Sequence, residues 1–114
     1  MNTQDLQNVV MDAIDGMKAQ HVTVLDVKAY SPMFDTMVIC TGTSTRHVKS
    51  ISDNLVKITK TANVPPLSIA GNDSCEWVLV DLNSIIVHIM LESTREFYQL
   101  EKLWTIPEPS SKPE

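Results

Sequence analysis

Residues 36–45 read TMVICTGTST. The first six form a short continuous apolar run, the mark of a central strand buried on both faces. The character then changes at once. Gly42 can take a turn, and Ser44 or Thr45 can cap whatever follows. Beyond them Val48, Ile51, Leu55, Ile58 and Ala62 recur at alternating steps of three and four residues, which predicts an amphipathic helix over 45–62. A buried strand that feeds a helix through a glycine turn belongs to an α/β layered fold.

Outward from this unit the remaining elements fall into place. Leu6, Val9, Val10, Ala13, Ile14 and Met17 keep helical spacing, so residues 3–20 read as a first amphipathic helix. HVTVLDVKAY (21–30) is rich in β-branched residues and reads as a strand, closed by a turn at SPMFD where Pro32 is the breaker. VPPLSIAG (64–71) reads as a connection plus a short strand near a sheet edge, because Pro65 and Pro66 donate no ladder hydrogen bond. EWVLVDL (76–82) and SIIVHIM (84–90) read as two strands joined by a turn at Leu82–Ser84, where Asn83 tolerates a left-handed backbone. Ser93 and Glu96 fit a capping box, so a last helix is expected from about residue 94. TIPEPSSKPE (105–114) carries three prolines in ten residues and reads as a disordered tail. The order α-β-β-α-β-β-β-α predicts one α/β domain over 3–104, with a mixed sheet of about five strands and three helices.

Composition narrows the function classes. Hydrophobic residues make up 43% of the chain and charged residues 20%, as in an ordinary globular domain. No apolar run reaches the ~18 residues of a membrane span. The acidic, amphipathic N-terminus matches neither a secretory signal nor a transit peptide, so the expectation is a cytoplasmic protein. Cys40 and Cys75 fit no zinc or redox spacing and read as free thiols. The net charge is −5, and it is unevenly spread. Residues 1–70 hold six acids and six bases, whereas residues 71–104 hold six acids against two bases, a net of −4. A nucleic-acid binder carries the opposite sign. An acidic surface suits a basic protein partner.

Two aromatic positions stand out. Alternation along 76–82 sets Val78, Val80 and Leu82 on one strand face and Trp77, Leu79 and Asp81 on the other. The first set is purely apolar and reads as core; the second mixes Trp with Asp and reads as only partly covered. In the next strand His88 and Met90 fall on the more open face. In EFYQLEKLW (96–104), Phe97, Leu100, Leu103 and Trp104 gather on one side of a helix turning ~100° per residue. Tyr98 and Glu101 fall off that stripe, on the polar side. A large amphipathic ring in such a place suits an interface.

Enzyme motifs are wanting where they would have to be. TGTST opening a helix could hold phosphate on backbone amides, yet the sequence lacks G-x-x-x-x-G-K-[ST]. A nucleotidyltransferase would place two metal-binding acids soon after the turn. Here Arg46, His47, Val48 and Lys49 follow, and the first acid is Asp53, within the helix. No catalytic group, metal site or cofactor is expected.

ICTGTSTRHV (39–48), EWVLVD (76–81), VHIM (87–90) and REFYQLEKLW (95–104) together resemble the signature segments of the Iojap-like ribosomal silencing factors, RsfS, in order and spacing from about residue 3 to 104. The resemblance implies a nucleotidyltransferase-like fold without the activity. It implies binding to the large ribosomal subunit through its protein number fourteen, at the intersubunit face. Joining of the small subunit would thereby be blocked and translation repressed under nutrient limitation or in stationary phase. Trp77, Asp81, His88, Met90, Tyr98 and Glu101 lie within the matching motifs and are carried over as candidate partner-binding residues, Trp77 and Tyr98 first. Asn83–Ser84 stands where the family often has Gly-Asp, and the tail after Trp104 falls outside the segments that carry the resemblance. Two other readings stay open: a nucleotidyltransferase-fold enzyme acting on nucleotides or nucleic acid, and a homodimer formed by an exposed aromatic patch when its partner is missing.

Overall fold

The computed structural model describes residues 2–98, with side chains through Arg95. Its elements follow in the expected order: α1 (Thr3–Gly16), β1 (Gln20–Asp26), β2 (Thr36–Gly42), α2 (Thr45–Thr61), β3 (Ser68–Ala70), β4 (Trp77–Asp81), β5 (Ile85–Leu91) and α3 (Glu92–Tyr98). The strands make one mixed sheet in the order β1-β2-β5-β4-β3, in which β2 and β5 run parallel and the other neighbours antiparallel.

β2 is buried at all seven positions, and β5 is buried from Ile85 to Met90. Their unbroken apolar sequences follow from lying in the interior of the sheet with both faces covered. α1 and α2 cover one face. Leu6, Val10 and Ile14 of α1 and Val48, Ile51 and Leu55 of α2 pack on Val38, Val78, Val80, Val87 and Ile89. Each such side chain contributes roughly 1.5–3 kcal/mol on burial. The β2–α2 turn is tight. A Cβ on Gly42 would lie 2.8 Å from Val48 Cγ2 and 2.9 Å from the Val48 nitrogen, so no side chain fits there. Ser44 takes the N-cap, its hydroxyl accepting the His47 N–H at 3.1 Å.

Three boundaries differ from the sequence reading. α1 stops at Gly16 rather than 20, because Lys18 turns left-handed (φ 61°) and the N–H groups of Met17 and Lys18 fold back on the carbonyls of Ile14 and Asp15. β1 ends at Asp26 rather than continuing to Tyr30. The Val27 carbonyl there accepts from the N–H groups of Tyr30 and Ser31, which closes a turn. α3 begins at Glu92, directly off β5, so Ser93 lies inside the helix and is not its cap. β3 sits at the sheet edge as Pro65–Pro66 required, and Asn83 holds its left-handed turn (φ 80°). The readings for the side chains of Phe97, Leu100, Leu103 and Trp104, and for the tail 105–114, lie outside the described residues.

Candidate docking face

The sheet face opposite α1 and α2 brings most of the singled-out residues together. In the β4–β5 ladder Trp77 pairs with Met90, Leu79 with His88 and Asp81 with Ile86. All six side chains therefore point to that face. Trp77, Leu79 and Asp81 are half-buried. Met90 is fully buried and His88 is 6% exposed, so these two share the face yet lie beneath its surface. The reason is a second apolar cluster of Val27, Met37, Ile39, Ile86 and Met90, against which Leu25, Phe34, Trp77 and Leu79 pack.

Trp77 is held in orientation. Its Nε1–H donates to Nδ1 of His88 at 2.9 Å, with the rings tilted by 47° and their centroids 5.8 Å apart. Burial pushes the His88 pKa down to about 4. The indole bond acts in the same direction, because only a neutral Nδ1 can accept it. His88 is thus a neutral acceptor that fixes an aromatic ring, and its proton sits on Nε2. Asp81 spends one oxygen on its own turn, Oδ1 accepting the Asn83 N–H at 2.9 Å. Beside them Ala70, Gly71, Trp77 and Leu79 line a shallow hollow of about 230 Å³. Gly71 is required there: its φ is +82°, and a Cβ would lie 1.9 Å from the Trp77 carbonyl oxygen.

Leu79, Ala70 and Gly71 were not singled out from the sequence as site residues. Leu79 could have been, since it alternates with Trp77. Ala70 and Gly71 could not, because the pairing of β3 with β4 is a tertiary fact that the local sequence does not contain. Tyr98 closes α3 as its last residue, with its ring outside the described residues; Glu101 lies wholly outside them.

The turn at TGTST is committed elsewhere. The Thr43 N–H donates to Nδ1 of His47 at 2.9 Å, and Nε2 of the same ring donates to the Met17 carbonyl at 2.7 Å. His47 thus links the end of α1 to the start of α2 and occupies an amide that a phosphate would need. Among the described residues no group of three or more His, Cys, Asp or Glu is arranged to hold a metal, and no helix is long and apolar enough to cross a membrane. Cys40 and Cys75 are both free and buried, and burial pushes the Cys40 thiol up to about 12. That thiol is inert at neutral pH.

Comparison with known proteins places this geometry. The chain is 42% identical over 99 residues to the ribosomal silencing factor RsfS of Haemophilus influenzae, covering 87% of this chain and 97% of that one. It is 41% identical over 91 residues to the mouse protein named mitochondrial assembly of ribosomal large subunit protein 1, covering 77% of this chain and 40% of that one. A crystal structure of a Chromobacterium violaceum protein superposes with a TM-score of 0.91 at 32% identity, covering 100% of this chain and 95% of that one. The sequence model of the family described as "ribosomal silencing factor during starvation" matches residues 1–114. The chain belongs to the RsfS family of ribosomal silencing factors.

Proposed function

We propose that this chain silences translation by binding the large ribosomal subunit at its intersubunit face, through ribosomal protein number fourteen, and by keeping the small subunit from joining. The names of the relatives support the general role: one is called a ribosomal silencing factor and another is named for assembly of the mitochondrial large subunit. The observation that carries the finer reading is the oriented Trp77. A half-buried indole pinned by His88 presents contact area with little rotamer freedom left to lose, which is what an interface anchor needs. Leu79 and Ala70 continue the apolar surface around it, and Asp81 lies at its end. Tyr98 and Glu101, which the resemblance contributes from REFYQLEKLW, join this contact in the proposal. The surrounding acidic third of the sequence complements a basic ribosomal protein.

The block is steric. The smallest extent of the molecule is 20 Å, far more than the few ångströms across which two subunits make contacts, so occupancy alone excludes joining. No chemistry is required of the protein, and the turn at Gly42 that a nucleotidyltransferase would use is tied up by His47. Cosedimentation with isolated subunits on a sucrose gradient tests the reading. The chain should travel with the large subunit and not with the small one. Trp77→Ala and Tyr98→Ala should each weaken the association by roughly 2 kcal/mol, about thirtyfold. A chain that stays at the top of the gradient with either subunit would rule the proposal out.

A further inference from the structure

Arg95 is only 7% exposed. A buried guanidinium persists only where acceptors meet it. Here it donates to the His21 carbonyl and, at 2.8 Å, to Thr23 Oγ1. Both acceptors belong to β1, more than seventy residues earlier in the chain. β1 is irregular at this point. Its register against β2 shifts between Gln20 and Thr23, so that His21 and Val22 together oppose Cys40, and His21 takes a left-handed φ of 50°. That is a β-bulge, and bulges re-aim backbone groups that the regular ladder would consume. The bulge leaves the His21 carbonyl to Arg95. The His21 ring reaches the same helix, with Nδ1 2.9 Å from Glu92 Oε1. Glu92 and Arg95 stand three residues apart, on one face of α3. Two residues of α3 therefore grip one strained residue of the edge strand.

α3 starts at the residue after β5 ends, so the angle at which it departs is set by the backbone at Leu91–Glu92 and by the contacts that α3 itself makes. We propose that Arg95 is a positioning residue: with the bulge at His21 and the Thr23 hydroxyl, it fixes the direction of α3 and thereby the position of Tyr98, the last residue of that helix, relative to the strands that carry Trp77. The inference rests on the docking reading, which it deepens. The bulge in β1, which makes no direct claim on the partner, becomes a determinant of binding.

The test pairs amide hydrogen exchange with large-subunit cosedimentation for Thr23→Val, Thr23→Ser and Arg95→Lys. Thr23→Val deletes the hydroxyl at constant shape, and Thr23→Ser keeps it. Arg95→Lys keeps the charge but loses the planar fork that meets two acceptors at once. Thr23→Val and Arg95→Lys should speed exchange across residues 92–98 by about tenfold or more, the loss of one charge-assisted hydrogen bond. The amides of β2 and β5 should stay protected, and binding should weaken by a similar factor. Thr23→Ser should match the unaltered chain. Equal behaviour of Thr23→Val and Thr23→Ser would overturn the proposal, as would loosened α3 amides with undiminished binding, or a uniform rise in exchange over the whole sheet. Should the unaltered chain itself fail to sediment with large subunits, the docking reading falls, and the exchange comparison alone upholds or overturns the grip on α3.

Discussion

The His88–Trp77 pair makes stability depend on pH in a way that can be worked out in advance. In the unfolded chain His88 titrates near the ordinary value of about 6.5. In the folded protein burial lowers its pKa to about 4. Between those values the unfolded state binds the proton and the folded state does not, so acid favours unfolding. The stabilisation is therefore fully present above about pH 6.5 and is lost progressively as pH falls towards 4. One pKa unit corresponds to about 1.4 kcal/mol, so raising the pH from 4.5 to 7.5 restores about 2–3 kcal/mol through this group alone. A domain of this size has only about 5–15 kcal/mol in total. Urea unfolding at the two pH values, for the unaltered chain and for His88→Gln, measures it. Both proteins share every other titrating group, so the change in their stability difference isolates His88. That difference should shift by about 2–3 kcal/mol against the unaltered chain at pH 4.5. A shift below about 0.5 kcal/mol would refute the reasoning, because it would mean that His88 is as free to protonate in the fold as outside it.

Three further outcomes follow from the docking reading. Trp77→Phe keeps the ring but strands the buried Nδ1 of His88, and should cost about 1–2 kcal/mol in thermal or urea unfolding. Gly71→Ala should destabilise by more than about 2 kcal/mol, since it forces a side chain into a left-handed backbone and against the Trp77 carbonyl; it should also distort the hollow beside Trp77 and weaken binding in the gradient assay. Glu101→Lys should slow association with large subunits, with a smaller change in dissociation, and the effect should shrink as salt rises past about 0.15 M, where the Debye length falls below about 8 Å; stopped-flow traces at two salt concentrations decide it.

Much of the fold was legible because local pattern and tertiary role coincide. TMVICT is apolar at nearly every position, and β2 is covered on both faces. The α2 stripe named its own buried side, with Val48, Ile51 and Leu55 in the core. The alternation of Trp77, Leu79 and Asp81 against Val78 and Val80 was read correctly, and the tight turn at Asn83 sets the register that puts Trp77 opposite Met90. What the sequence could not show depends on distant chain. The burial of Met90 and His88 comes from Met37, Ile39 and their neighbours on another strand. The early end of α1 depends on a left-handed Lys18, a residue type with no preference for that backbone. Ser93 and Glu96 have the spacing of a capping box, but β5 runs straight into the helix and leaves the box inside it. The grip of Arg95 on β1 joins residues more than seventy positions apart, and nothing around either end announces the other.

The central claim is that occupancy of the large subunit, without chemistry, prevents joining. Light scattering on mixing large and small subunits reads this directly. Added to large subunits first, the chain should lower the amplitude of joining in proportion to its occupancy, Trp77→Ala should lower it far less, and excess small subunit should restore it. Stable binding of the chain to already joined ribosomes, with joining of free subunits undiminished, would contradict the account.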